Sequence, residues 1–215
     1  MTDVLRKVSS PAVLLLGEPG GGKTFSLGTL AKHDKVDKLF YLFTDPGGEE
    51  SLIDSFLHYD VPIDKLHYAY IPPAAEGWDV MIDLVRKVNT MDYKSLADLK
   101  AGINKREHRQ MFDLLGHLAN FTCERTGENF GSADEWGQNY AVAFDSLTGL
   151  NRLARDATVG AKPTLHQGEW GIAMSMEEGF IRKFIAGIKG PRVMVGHLDK
   201  LMDEVQGRMT LQVGS

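Results

Sequence analysis

The octapeptide Gly17-Glu18-Pro19-Gly20-Gly21-Gly22-Lys23-Thr24, set directly behind the apolar run Ala12-Val13-Leu14-Leu15-Leu16, constrains this chain more than any other feature. Glycines this dense lose too much backbone freedom to be held in a helix or strand, so the segment is a loop. The run before it follows Pro11 and has the length of a strand. An apolar run without alternation reads as a parallel strand covered on both faces. A helix is expected after the loop, from about Lys23 to Ala31. In a loop of this kind the glycines permit positive φ and leave space beside the backbone. Successive N–H groups then turn inward as an anion nest, and the following helix adds its positive end. The complete Gly-x-x-x-x-Gly-Lys-Thr pattern therefore predicts a cradle for ATP phosphates. It comprises Gly17, Glu18, Pro19, Gly20, Gly21, Gly22, Lys23 and Thr24, with Phe25 beside it. Lys23 is expected to reach the β- and γ-phosphates and Thr24 to offer its hydroxyl to Mg²⁺.

Further strands are predicted at Leu39–Thr44, at His67–Ile71 as an edge strand before Pro72-Pro73, at Tyr140–Phe144, at Arg192–Gly196 and at Arg208–Val213. Leu52, Ile53, Phe56 and Leu57 share one helical face. So do Met81, Leu84, Val85 and Val88, then Met111, Leu114, Leu115 and Leu118 in a mostly helical stretch from about 95 to 122. Met176, Phe180, Ile181, Phe184, Ile185 and Ile188 mark a helix that stops at Gly190-Pro191. A polar loop is expected from Glu124 to Gln138. Strands alternating with helices imply an α/β fold with a mainly parallel sheet.

Asp145 closes an apolar strand, and ligands of open α/β sheets gather at the carboxyl ends of strands. Beside a phosphate loop it is expected to be catalytic and to hold a Mg²⁺-bound water. Asp45, Glu49 and Glu50 all follow the second strand and are the candidates to align an attacking water. Acidic residues there also suit the N-terminus of the next helix, so the three are not separated by sequence. His197 follows the strand after Asp145, where a polar side chain can report on the γ-phosphate.

Composition narrows the partners. A single cysteine, Cys123, allows no internal disulfide, and the scattered histidines form no zinc pattern. No apolar run approaches bilayer length, and the N-terminus has no secretory h-region, so a cytoplasmic protein without membrane contact is expected. The net charge of −5 provides no overall basic footprint for nucleic acid. The exception is local: Lys94, Lys100, Lys105, Arg106 and Arg109 stand against Asp98 and Glu107. That run either tracks a phosphate backbone or is a solvated helix face. Trp78, Trp136 and Trp170 are likewise base-stacking or packing residues.

With these residues in place, the chain resembles the RecA-like P-loop ATPases. More narrowly, it resembles the phage-borne nucleotide-binding proteins related to single-strand-annealing recombinases. The resemblance rests on Gly17–Thr24, on Ala143-Phe144-Asp145-Ser146-Leu147-Thr148 and on Gly196-His197-Leu198-Asp199. Tyr70-Ile71-Pro72-Pro73 and Glu169-Trp170-Gly171 add to it. It implies residues 1–215 as a single RecA-like domain with a mostly helical insertion at about 78–138. The strand before His197 is then expected between those of the loop and Asp145. The resemblance further implies ATP hydrolysis by a homo-oligomer on single-stranded DNA, in recombination or replication in a bacterial host's cytoplasm. It also implies a longer chain, because the family pattern continues past the fifth strand.

Two departures stand out. RecA carries its catalytic glutamate two residues beyond a strand-ending aspartate, and here that spacing from Asp45 falls on Gly47. Its long DNA-binding loop is reduced here to Leu198–Gly207. The alternative is an ATP-gated assembly or scaffold protein with slow or no hydrolysis. On either reading Lys23 meets the phosphates. Lys23→Ala is expected to abolish nucleotide hydrolysis, and wild-type phosphate release by that variant would contradict the assignment.

Overall fold

The computed structural model describes residues 10–72, 78–90, 92, 108–160, 166–203 and 208–213. In chain order its strands are β1 (Ala12–Gly17), β2 (Lys38–Phe43), β3 (Leu66–Tyr70), β4 (Phe121–Thr122), β5 (Asn129–Gly131), β6 (Tyr140–Asp145), β7 (Arg192–Asp203) and β8 (Arg208–Val213). Its helices are α1 (Lys23–Ser26), α2 (Gly28–Ala31), α3 (Gly48–His58), α4 (Trp78–Asn89), α5 (Gln110–Ala119), α6 (Leu147–Val159) and α7 (Gln167–Gly187). The central sheet runs β1-β7-β6-β2-β3, all parallel, with β8 antiparallel along the outer half of β7. β4 and β5 form a separate antiparallel pair. This is the mainly parallel, helix-flanked sheet expected of a RecA-like P-loop fold. The strand leading to His197 lies between those of the loop and Asp145.

The inner strands are apolar through their middle, from Leu39 to Phe43 in β2, Ala141 to Phe144 in β6 and Val193 to Val195 in β7, and both of their faces are covered. Leu39, Tyr41 and Phe43 of β2 pack with Ala141, Ala143, Val193 and Val195 beneath Leu27, Ala31, Leu52 and Phe56. Phe40 and Leu42 point the other way, with Val142, Phe144 and Met194, onto Leu114, Leu150, Phe180 and Phe184. Alternation along each strand thus serves two cores at once. Trp136 stacks on Phe40 at 3.9 Å and donates its indole N–H to the Phe130 carbonyl at 2.8 Å. It is therefore a packing residue.

Several elements differ from expectation. β1 is not covered on both faces: Val13, Leu14 and Leu16 are 48%, 53% and 39% exposed. It is the outermost strand of the described sheet and pairs with β7 alone. The helix after the loop is two four-residue segments meeting at Leu27. There the Leu27 and Leu30 N–H groups bond three residues back, to Thr24 and Leu27, rather than four. The polar loop from Glu124 to Gln138 contains β5. α6 was not anticipated, although Ser146 caps it through the Gly149 N–H and Leu150, Leu153 and Ala154 are buried at helical spacing. α7 begins at Gln167, nine residues before the stripe that predicted it, where the Glu169 carboxylate accepts the His166 N–H at 2.8 Å. Apart from His108 and Arg109, the basic run lies outside the described residues. No described helix is long and apolar enough to cross a membrane.

His67 of β3 is buried against Phe40 and Phe130, with Nε2 3.3 Å from the Lys38 ammonium. Burial, then the charges of Lys38 and Arg125, push its pKa down from 6.5 to about 4. Between those values the unfolded chain binds the proton and the folded chain does not. The stability contributed is complete above about pH 6.5 and is lost as pH falls towards 4. His67→Phe is expected to flatten the acid limb of stability over that window, read as urea midpoint against pH.

Candidate active site

Parallel pairing brings the carboxyl ends of β1, β6 and β2 to one edge, level with the middle of β7. Gly17 of β1 is in register with His197 of β7, Asp145 of β6 with Val195 of β7, and Phe43 of β2 with Asp145. The phosphate loop leaves β1 at this edge, Asp45 follows β2, and Asp145 ends β6. Residues separated by more than 100 positions thereby become neighbours.

The loop is open to solvent from Glu18 to Gly22. Gly20 and Gly22 sit at φ 73° and 76°, the left-handed region that side chains other than glycine rarely enter. Lys23 is buried, and its ammonium arches over the loop to donate to the Gly17 carbonyl at 2.9 Å and the Glu18 carbonyl at 2.7 Å. The Phe25 ring lies against His58 and Tyr59 of α3, and its carbonyl accepts the Ser55 hydroxyl. Phe25 thus anchors the base of the loop on α3.

Asp145 is the most enclosed acid of the site, 5% exposed. Its Oδ2 accepts the Thr24 hydroxyl at 2.6 Å and the Tyr41 hydroxyl at 3.1 Å. Burial raises its pKa, the two hydroxyl donors oppose that shift, Asp45 adds to it and His197 counters it. Tyr41 is raised too, by burial and then by the Asp145 charge, so it remains a protonated donor. The backbone is locked at the same point. The Thr44 N–H donates to the Asp145 carbonyl at 2.7 Å, the Ser146 N–H to the Thr44 hydroxyl at 3.3 Å, and the Asp145–Ser146 peptide is cis.

Asp45 sits at the mouth, its side chain 44% exposed. One carboxylate oxygen accepts the Ser146 hydroxyl at 3.1 Å and lies 3.4 Å from His197 Nε2. His197 Nδ1 is buried with no partner among the described residues. Ligating atoms of Asp45, Asp145 and His197 all lie within 4.8 Å of one another. Glu49 stands by Tyr68 and Tyr70, whose phenols are raised by burial first and then by its charge, and Glu50 is exposed. Of the three acids after β2, Asp45 alone joins Asp145 and His197. Thr24, Asp145 and Asp45 present oxygen donors, the set that suits a hard cation such as Mg²⁺.

Sequence reasoning missed Tyr41, Thr44 and Ser146. Ser146 was legible as an N-cap ahead of Leu147, Leu150 and Leu153. Tyr41 was not, because a tyrosine inside an apolar strand reads as core.

No protein family model matches the sequence, and no curated protein matches it. Among solved structures, it is similar to a prototypical ATPase from the type III secretion system of pathogenic bacteria, at 14% identity and a TM-score of 0.49. That match covers 92% of this chain and 48% of the other. It is also similar to the ATPase EscN, assembled with its central stalk EscO, from the enteropathogenic E. coli type III secretion system. There identity is 15%, TM-score 0.44 and coverage 89% of this chain against 42% of that one. The chain thus spans less than half the length of either. Likeness at this level carries nothing about substrate or partner, and the site stands on its own geometry.

A buried carboxylate costs folding stability. Asp145→Asn keeps an acceptor for Thr24 and Tyr41 and removes the charge. It is expected to raise stability by about 0.5–2 kcal/mol in urea titration while abolishing Mg²⁺-dependent nucleotide binding.

Proposed function

We propose that this chain is an ATPase that binds ATP with Mg²⁺ in the Gly17–Thr24 loop and hydrolyses it. The observation that carries this reading is the 2.6 Å hydrogen bond from the Thr24 hydroxyl to Asp145. It joins the end of the phosphate loop to the end of β6 across 121 residues and gathers oxygen donors beside the anion cradle. Thr24 and Asp145 are the residues that would hold Mg²⁺, which when bound neutralises charge on the β- and γ-phosphate oxygens.

Lys23 is held by two neutral carbonyls. A phosphate oxygen is a stronger, charged acceptor, so the ammonium turns to it when ATP enters. Asp45 takes the part of the base in place of the residue lost at Gly47. It accepts a proton from water as the water oxygen bonds to the γ-phosphorus, and ADP leaves with the bridging oxygen. Its support is its position: a half-exposed carboxylate at the mouth, oriented by Ser146 and His197. His197 lies where a change at the γ-phosphate is passed to Asp45. The whole forms one RecA-like unit acting in a homo-oligomer, whose neighbour supplies a further cation. Arg192 does not serve that part, because it is buried on the Ser10 and Gly190 carbonyls.

The single-stranded-DNA reading has one observation in its favour. Trp78 and Trp170 are 82% and 41% exposed, as base-stacking residues must be. DNA-stimulated turnover supports it, and unchanged turnover favours the ATP-gated assembly.

Asp45→Asn is expected to lower turnover by about 10²-fold with ATP affinity retained, and Glu49→Gln to leave turnover near wild type. The reverse order in a phosphate-release assay would remove Asp45 from the role of base.

A further inference from the structure

The geometry points to Tyr41 as the positioning residue for Asp145, setting the carboxylate that receives Mg²⁺; this rests on the ATPase reading above. Tyr41 lies on β2, next to β6, and its side chain is fully buried. Its hydroxyl donates at 3.1 Å to the same oxygen, Oδ2, that accepts Thr24 at 2.6 Å. Two donors from different elements fix one oxygen of the carboxylate, and so fix its plane. The second oxygen is then aimed rather than free to rotate. Thr24 lies in α1 directly after the glycines, whereas Tyr41 lies within the sheet. Tyr41 is therefore the donor anchored independently of the Gly17–Thr24 segment.

The phenol is itself held between Phe43 and Gly48. Its ring stacks on Phe43 at 4.8 Å with 9° between planes, and Phe43 stacks on Tyr70 of β3 at 4.9 Å and 21°. This aromatic ladder ties the site to β3. Above it, α3 starts at Gly48, where a Cβ would stand 2.5 Å from the Tyr41 hydroxyl and 3.1 Å from the Phe43 ring. A bare Cα at Gly48 is what lets the segment bearing Asp45 close over the phenol. Gly48, one residue beyond the position where the glutamate was expected, thus makes room for a donor to Asp145.

The test is the Mg²⁺ dependence of binding of a fluorescent ATP analogue to the full chain. A hydrogen bond to a charged group is lost in Tyr41→Phe while the ring stack remains. The half-saturating Mg²⁺ concentration is expected to rise about tenfold, with Mg²⁺-free analogue affinity little changed. A loss that was merely structural would weaken binding equally with and without Mg²⁺. Gly48→Ala keeps the phenol but sets a methyl against it, and is expected to show the same selective shift. It decides the matter if Tyr41→Phe does not fold. Wild-type Mg²⁺ dependence in a folded variant overturns the role of Tyr41 and leaves the ATPase reading intact. No Mg²⁺-dependent analogue binding by the wild type overturns both.

Discussion

A carboxylate that is 5% exposed is tolerable only with strong donors, and Asp145 has two on one oxygen. Each comes from a different part of the molecule. Thr24 brings the end of the phosphate loop, and Tyr41 brings β2. Thr44 adds a backbone bond to the Asp145 carbonyl, which fixes the start of the loop bearing Asp45. The need to satisfy one buried charge therefore sets the spacing between the Gly17–Thr24 loop, the sheet and the segment bearing Asp45. It also leaves the charge poorly solvated, the condition in which a divalent cation is most welcome.

The site divides its acids by exposure. Asp145 is enclosed and its pKa is raised chiefly by burial, whereas Asp45 stands half-open to solvent. An enclosed carboxylate suits a fixed ligand role, and an open one suits exchange of protons with water. His197 lies between the strands that carry the phosphate loop and Asp145, within reach of Asp45. Ser146 joins the two carboxylates' segments: its oxygen caps α6 through Gly149 and its proton goes to Asp45.

Local patterns were enough for much of this. Gly17–Thr24 declared itself because four glycines and a Lys-Thr pair have few other uses at that spacing. Asp145 was legible as the acid closing an apolar run. β2, β6 and β7 were legible because strand segments buried on both faces are apolar without alternation, as in Leu39–Phe43, Ala141–Phe144 and Val193–Val195. The exposure of β1 was not, since an edge strand and a central strand share the same apolar composition. Nor was the choice of Asp45 over Glu49 and Glu50, which lie within six residues of one another.

The sequence by itself determined the groups available: a glycine-rich loop ending in Lys23 and Thr24, and the acids Asp45 and Asp145 after apolar strands. These depend on residue type and short spacing, which the chain carries locally. Only the tertiary structure decided which groups meet. Parallel register placed β7 between β1 and β6, aligned Gly17 with His197, and brought Tyr41 beneath Asp145. Those pairings join residues as far apart as 180 positions (197 − 17). They follow from which strand lies beside which, and no local pattern encodes that order.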